Sequence, residues 1–162
     1  MNNREFLVQN IEAELPRFER VFLALPEDKL SWRPHERSKS AMELVTSMAL
    51  EAIMCPIFMK SGVVDYLKLE EPKGKSVAEC WSIFKQNFEE MKNLVSKMTE
   101  EDWGAPSKLV AGDTAHWETT KGWMAWGMLL DLIHHRGQLS TYIRPMGGKV
   151  PSIYGPSADV AE

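Results

Sequence analysis

Apolar residues recur every three or four positions over four separate stretches of the chain, and no stretch alternates strictly, so the pattern predicts helices. The first runs from about Asn3 to Leu25, with Phe6, Leu7, Ile11, Leu15, Phe18, Val21, Phe22 and Leu25 at helical spacing, and stops before Pro26. In the loop that follows, "EDKLSWRPHERSKS", Trp32 and Pro34 are expected to plug one end of the core. A capping box, Ser40 with Glu43, opens the second helix. It should reach about Lys60 and end near Gly62, with a kink or break at Pro56. A second box, Ser76 with Glu79, opens the third, which points Val77, Trp81, Phe84, Phe88, Met91, Leu94, Val95 and Met98 inward. Residues 99–120 read as an irregular connection with room for a short hairpin. The fourth helix is expected from Thr119 or Thr120 to Arg144 or Pro145, where Gly147 and Gly148 can supply a positive φ. Four helices of about 20 residues predict an all-α fold. It is a four-helix bundle with an extended C-terminal tail, a single domain over residues 1–162.

Composition narrows the function. With 162 residues, 44% of them hydrophobic and 26% charged, the chain reads as globular. Its net charge of -4 and pI near 5.6, without a basic patch, argue against a nucleic-acid partner. The most apolar long stretch, Ala41 to Met59, carries Glu43 and Glu51, which argues against a membrane span. The first residues contain no signal-peptide core. Two distant cysteines, Cys55 and Cys80, form no metal-binding spacing, and a cytoplasmic location is expected.

The fourth helix is the unusual element. From Trp123 to Ile133 its only polar residue is Asp131, so it lacks the polar face of a surface helix. A second subunit covering that face, making a homodimer, is the expected solution. A carboxylate inside such a helix needs a partner. One turn on lies His135, whereas its neighbour His134 points about 100° away. Met128, Asp131, His135, Gln138 and Tyr142 thus form a polar seam. An intrahelical hydrogen bond between Asp131 and His135 would satisfy both without any ion. Ser47, His135 and Asp131 also spell a Ser-His-Asp set, but mid-helix amides offer no oxyanion hole. His35 and His116 read as surface residues, Arg136 and Arg144 as anchors for the tail, and the ten methionines as core filler.

The run "HHRGQLSTYIRPMGGKVPSIYGPSAD" and the loop "SWRPHERSKSAMELV" resemble the DinB-like family of helical-bundle proteins, over roughly Phe6 to Asp159. The resemblance implies a metal-dependent, often dimeric bundle. In that family three histidines hold one divalent ion, one from the second helix and two from the fourth, spaced His-x-x-x-His before Arg-Gly-Gln. Some members are thiol-dependent transferases or isomerases. His135 matches the last of these histidines. Asp131 stands where the second belongs, and Ser47 where the first belongs, with Glu51 one turn along the same face. His135, Asp131, Ser47 and Glu51 are therefore the candidate ligands for a divalent ion such as zinc, nickel or iron. Gln138 and Tyr142 are candidate positions for a small-molecule ligand. Two readings follow: a metal-dependent transferase-like or hydrolase-like enzyme with a degenerate site, and a non-catalytic dimeric binding or interaction module that has lost its metal.

Overall fold

A computed structural model of the chain describes residues 1–72 and 75–160. Helix α1 spans Asn3–Leu23 and opens with a capping box of Asn2 and Glu5. Helix α2 spans Ala41–Ser61 behind the Ser40–Glu43 box, and Pro56 lies within it without ending it. Gly62 then stops α2 at a φ of 75°, its N–H bonding the Phe58 carbonyl at 2.9 Å. A Cβ there would also sit 2.7 Å from the Pro106 carbonyl oxygen, so both conformation and space require glycine. Helix α3, Val77–Lys97, opens with the Ser76–Glu79 box.

After α3 the chain makes a short helix α4, Glu100–Gly104, and a hairpin of β2, Pro106–Ala111, and β3, Thr114–Thr120. Helix α5, Lys121–Ile143, follows directly, capped by the Thr120 hydroxyl. The four long helices pack pairwise, α2 on α3 and α5, α1 on the same two. Phe18, Phe22, Trp81, Phe84 and Phe88 interlock at ring separations of 4.8–5.7 Å along the α1–α3 seam. Each such buried ring contributes roughly 1.5–3 kcal/mol.

The all-α expectation needs correction. Among the described residues the fold is mostly helical but carries a three-stranded sheet with β2 at its centre. Residues 99–120 do contain a hairpin, turning at Gly112 with a φ of 58°. Strand β1, Val63–Asp65, pairs in parallel with β2 and was not foreseen, because three residues carry no readable period. The Asp65 carboxylate reinforces that pairing by accepting the Gly112 N–H at 3.1 Å.

Three local readings are resolved as well. Trp32 packs edge-on against Tyr142 at 5.2 Å, whereas Pro34 is exposed, so Trp32 alone closes that end. Phe6 lies off the buried stripe of α1. The tail is anchored as expected. Arg136 donates to the Tyr154 hydroxyl at 2.6 Å, and Arg144 to Asp159 at 2.8 Å. Among the described residues α2 is long and apolar enough to cross a membrane, and its position between α3 and α5 accounts for that apolarity.

Candidate metal centre

Helices α2 and α5 run antiparallel because both of their ends are pinned. At one end the buried Lys121 ammonium donates to the Met59 and Lys60 carbonyls, at 2.9 and 3.2 Å, satisfying the last turn of α2. At the other, the Tyr142 hydroxyl donates to the Lys39 carbonyl at 3.2 Å, just before α2 starts. The midpoints of the two helices are thereby forced together. There Glu51 of α2 meets Asp131 and His135 of α5, one ligand-capable atom from each lying within 4.8 Å of the others.

His135 is the hub. Its Nε2 stands 3.2 Å from Glu51 Oε1 and 3.8 Å from Asp131 Oδ2. Its Nδ1 lies 2.9 Å from Gln138 Oε1. The hydrogen bond to Glu51 raises the imidazole above its ordinary range to about 9, against the opposing effect of burial, with Gln138 and the Glu51 and Asp131 charges adding to the rise. At neutral pH the ring is an imidazolium between two carboxylates. Glu51 is mostly buried, and its second oxygen, Oε2, is inaccessible to water and has no hydrogen-bond partner. A buried carboxylate oxygen left unsatisfied is costly and marks where a cation would be stabilised.

Asp131 corrects one premise of the sequence argument, because its side chain is 57% exposed and forms the lip of the site rather than its floor. Ser47 sits one turn before Glu51. Its hydroxyl donates to the Glu43 carbonyl at 2.9 Å and accepts from the Lys39 ammonium. Gln138 and Tyr142 line a cleft of about 340 Å³ beside His135, together with Lys39, Leu44 and Thr141. Sequence reading overlooked Lys39, which also borders a larger cleft of about 600 Å³ with Arg37, Thr46 and Ser47. Only its place in a loop rich in cations hinted at it. Nor was Gln138 read as a partner of both His134 and His135, although its spacings of four and three residues permit it.

The DinB family model matches residues 1–162, the whole of the chain. The protein belongs to the DinB family. Solved structures agree at the level of the fold. A DinB-like protein of Bacillus subtilis superposes with a TM-score of 0.70 at 21% identity, covering 90% of this chain and 95% of that one. A DinB-like protein of Bacillus cereus ATCC 10987 gives 0.66 at 17% identity, with 93% and 97% covered. No curated protein matches the chain.

Within this DinB-family fold the donor set departs from three imidazoles to two carboxylates and one imidazole. Ligand atoms about 2 Å from an ion lie roughly 3–3.5 Å from one another, so the group needs only a modest contraction from its present 4.8 Å span. Two anions, one ring nitrogen and an orphaned carboxylate oxygen fit a divalent cation.

Proposed function

We propose that this DinB-family protein binds one divalent metal ion through Glu51, Asp131 and His135 and acts on a small molecule in the adjoining cleft. The observation that carries the reading is the meeting of Glu51, Asp131 and His135, one ligand-capable atom from each within 4.8 Å of the others. Harder oxygen donors widen the acceptable ions from zinc, nickel and iron toward manganese. A bound ion of this kind supplies Lewis-acid chemistry, lowering the pKa of a water or thiol near it. Transferase-like, thiol-dependent or hydrolase-like chemistry would use it in that way. The chain's own part is to hold three donors on two rigid helices and to leave the Asp131 side open to solvent.

A second reading is supported by the imidazolium itself. His135 already faces both carboxylates, so its charge offsets one of theirs without an ion, as a non-catalytic binding module would need. We further propose that the protein is a cytoplasmic homodimer. Cys55 and Cys80 are buried thiols, which suits a reducing compartment. Trp123 and Leu130 on α5 are 69% and 58% exposed, which suits a covered face.

Metal content of untagged protein and melting with added zinc, nickel and manganese decide between the two readings. At an ion concentration a hundredfold above Kd we expect about 2.7 kcal/mol of stabilisation. That corresponds to a rise of roughly 5–10 °C in the midpoint. Glu51→Gln should remove it. No stabilisation by any of the three ions at saturation would overturn the metal reading and leave the binding module.

A further inference from the structure

Around His135 the second ring nitrogen is as closely held as the first. Gln138 places its Oε1 2.9 Å from His135 Nδ1 and its Nε2 2.9 Å from His134 Nε2. Gln138 lies one turn beyond both histidines on α5, so backbone geometry alone brings it to each of them. A carboxamide oxygen can only accept and a carboxamide nitrogen can only donate. With the amide in this orientation, the proton in the first contact is that of His135 Nδ1. In the second, His134 Nε2 must offer its lone pair. If the amide were turned over, its N–H would face Nδ1 and the ring's remaining proton would move to Nε2. That atom points at Glu51 and Asp131, and a proton there would block ligation.

From this geometry we infer that Gln138 is the positioning residue of the metal centre, oriented by His134, and that it locks the His135 proton on Nδ1 and keeps Nε2 for the ion. The inference rests on the proposed metal reading and deepens it. The Nδ1–H bond to Gln138 is the same whether Nε2 carries a proton toward Glu51 or faces a cation, so the ring need not turn on loading. Histidine ligands held in this way by an outer hydrogen-bond acceptor commonly lose 10–100-fold in metal affinity when it is removed. Gln138 then serves the site through His135, whatever else it contributes to the cleft wall. His134, which cannot reach the ion from its own face of the helix, acquires a role as the acceptor that keeps the amide from turning.

The test uses the full-length protein, with zinc chloride and manganese chloride titrated calorimetrically near neutral pH. Gln138→Leu should weaken binding 10–100-fold. Gln138→Glu, whose carboxylate still accepts from Nδ1, should restore affinity close to wild type. Gln138 is exposed, so both variants should fold, and circular dichroism checks this. Undiminished affinity in the leucine variant would overturn the inference. Titration of the wild type separates this idea from the metal reading: a wild type that binds neither ion defeats the metal reading and the inference with it, whereas binding by the wild type and equally by Gln138→Leu defeats the inference alone.

Discussion

His135 concentrates the electrostatics of the site. Its imidazole is raised to about 9 by Glu51, so the folded state holds the proton more tightly than the unfolded chain, whose histidine titrates near 6.5. The resulting stabilisation of the metal-free protein is fully present below about pH 6.5. It is lost as pH rises through about 9. After allowance for the partial exposure of the pair, it is on the order of 2 kcal/mol. Thermal melts between about pH 6.5 and 9.5 should show the midpoint falling by roughly 4–8 °C. Glu51→Gln should flatten that slope, and an unchanged slope would show that Glu51 does not hold the proton. The Asp131–His135 pair was legible in the sequence, because two residues one turn apart on a helix must share a face. The exposure of Asp131 was not, since periodicity gives direction around a helix axis and says nothing of what stands opposite.

Among the elements, α1 and α5 are joined by a buried ion pair. Arg136 is 2% exposed and Glu14 5%, and the Arg136 guanidinium donates to the Glu14 carboxylate. The guanidinium also lies 4.8 Å from the centre of the Phe18 ring, and its other arm takes the Tyr154 hydroxyl, which in turn donates to Glu14 at 3.0 Å. Removing one partner leaves a buried charge, so Arg136→Met should cost about 3–5 kcal/mol in urea unfolding. Adding Glu14→Leu should recover most of that loss. If the double variant is no more stable than the single one, the cost lies in packing and not in the stranded charge. Helix starts were readable because caps are local, as the boxes at Ser40 and Ser76 show. The pairing of Glu14 with Arg136 was not readable, although a glutamate on the Leu7, Ile11, Phe18 stripe was a signal that something buried must answer it.

For the molecule as a whole, the apolar run in α5 led to the expectation of a covering subunit. Part of that face is covered within the chain. A Cβ at Gly122 would sit 2.4 Å from the Trp103 ring, and one at Gly127 2.0 Å from the Trp117 ring, so α4 and β3 lay indoles directly on the helix backbone. Trp123, Leu130 and Phe6 remain open on the same side, around a groove of about 540 Å³ that includes Trp126. Light scattering at tens of micromolar should return twice the monomer mass of 18.5 kDa, and Leu130→Glu should halve it. A monomeric wild type would remove the dimer.

What the sequence determined by itself was set within one or two turns of chain: the long helices, the boxes at Ser40 and Ser76, and the Asp131–His135 pair. Tertiary structure decided the contacts between residues far apart in sequence. It recruited Val63–Asp65 into a sheet, stacked Trp103 and Trp117 on α5, and aligned α2 with α5 by pinning them at Lys121 and Tyr142. That alignment brings Glu51 to His135, while the Ser47 hydroxyl bonds Lys39 and Glu43. Local geometry follows from backbone sterics and nearest neighbours, whereas the register between two helices depends on packing and hydrogen bonds distributed over the whole fold.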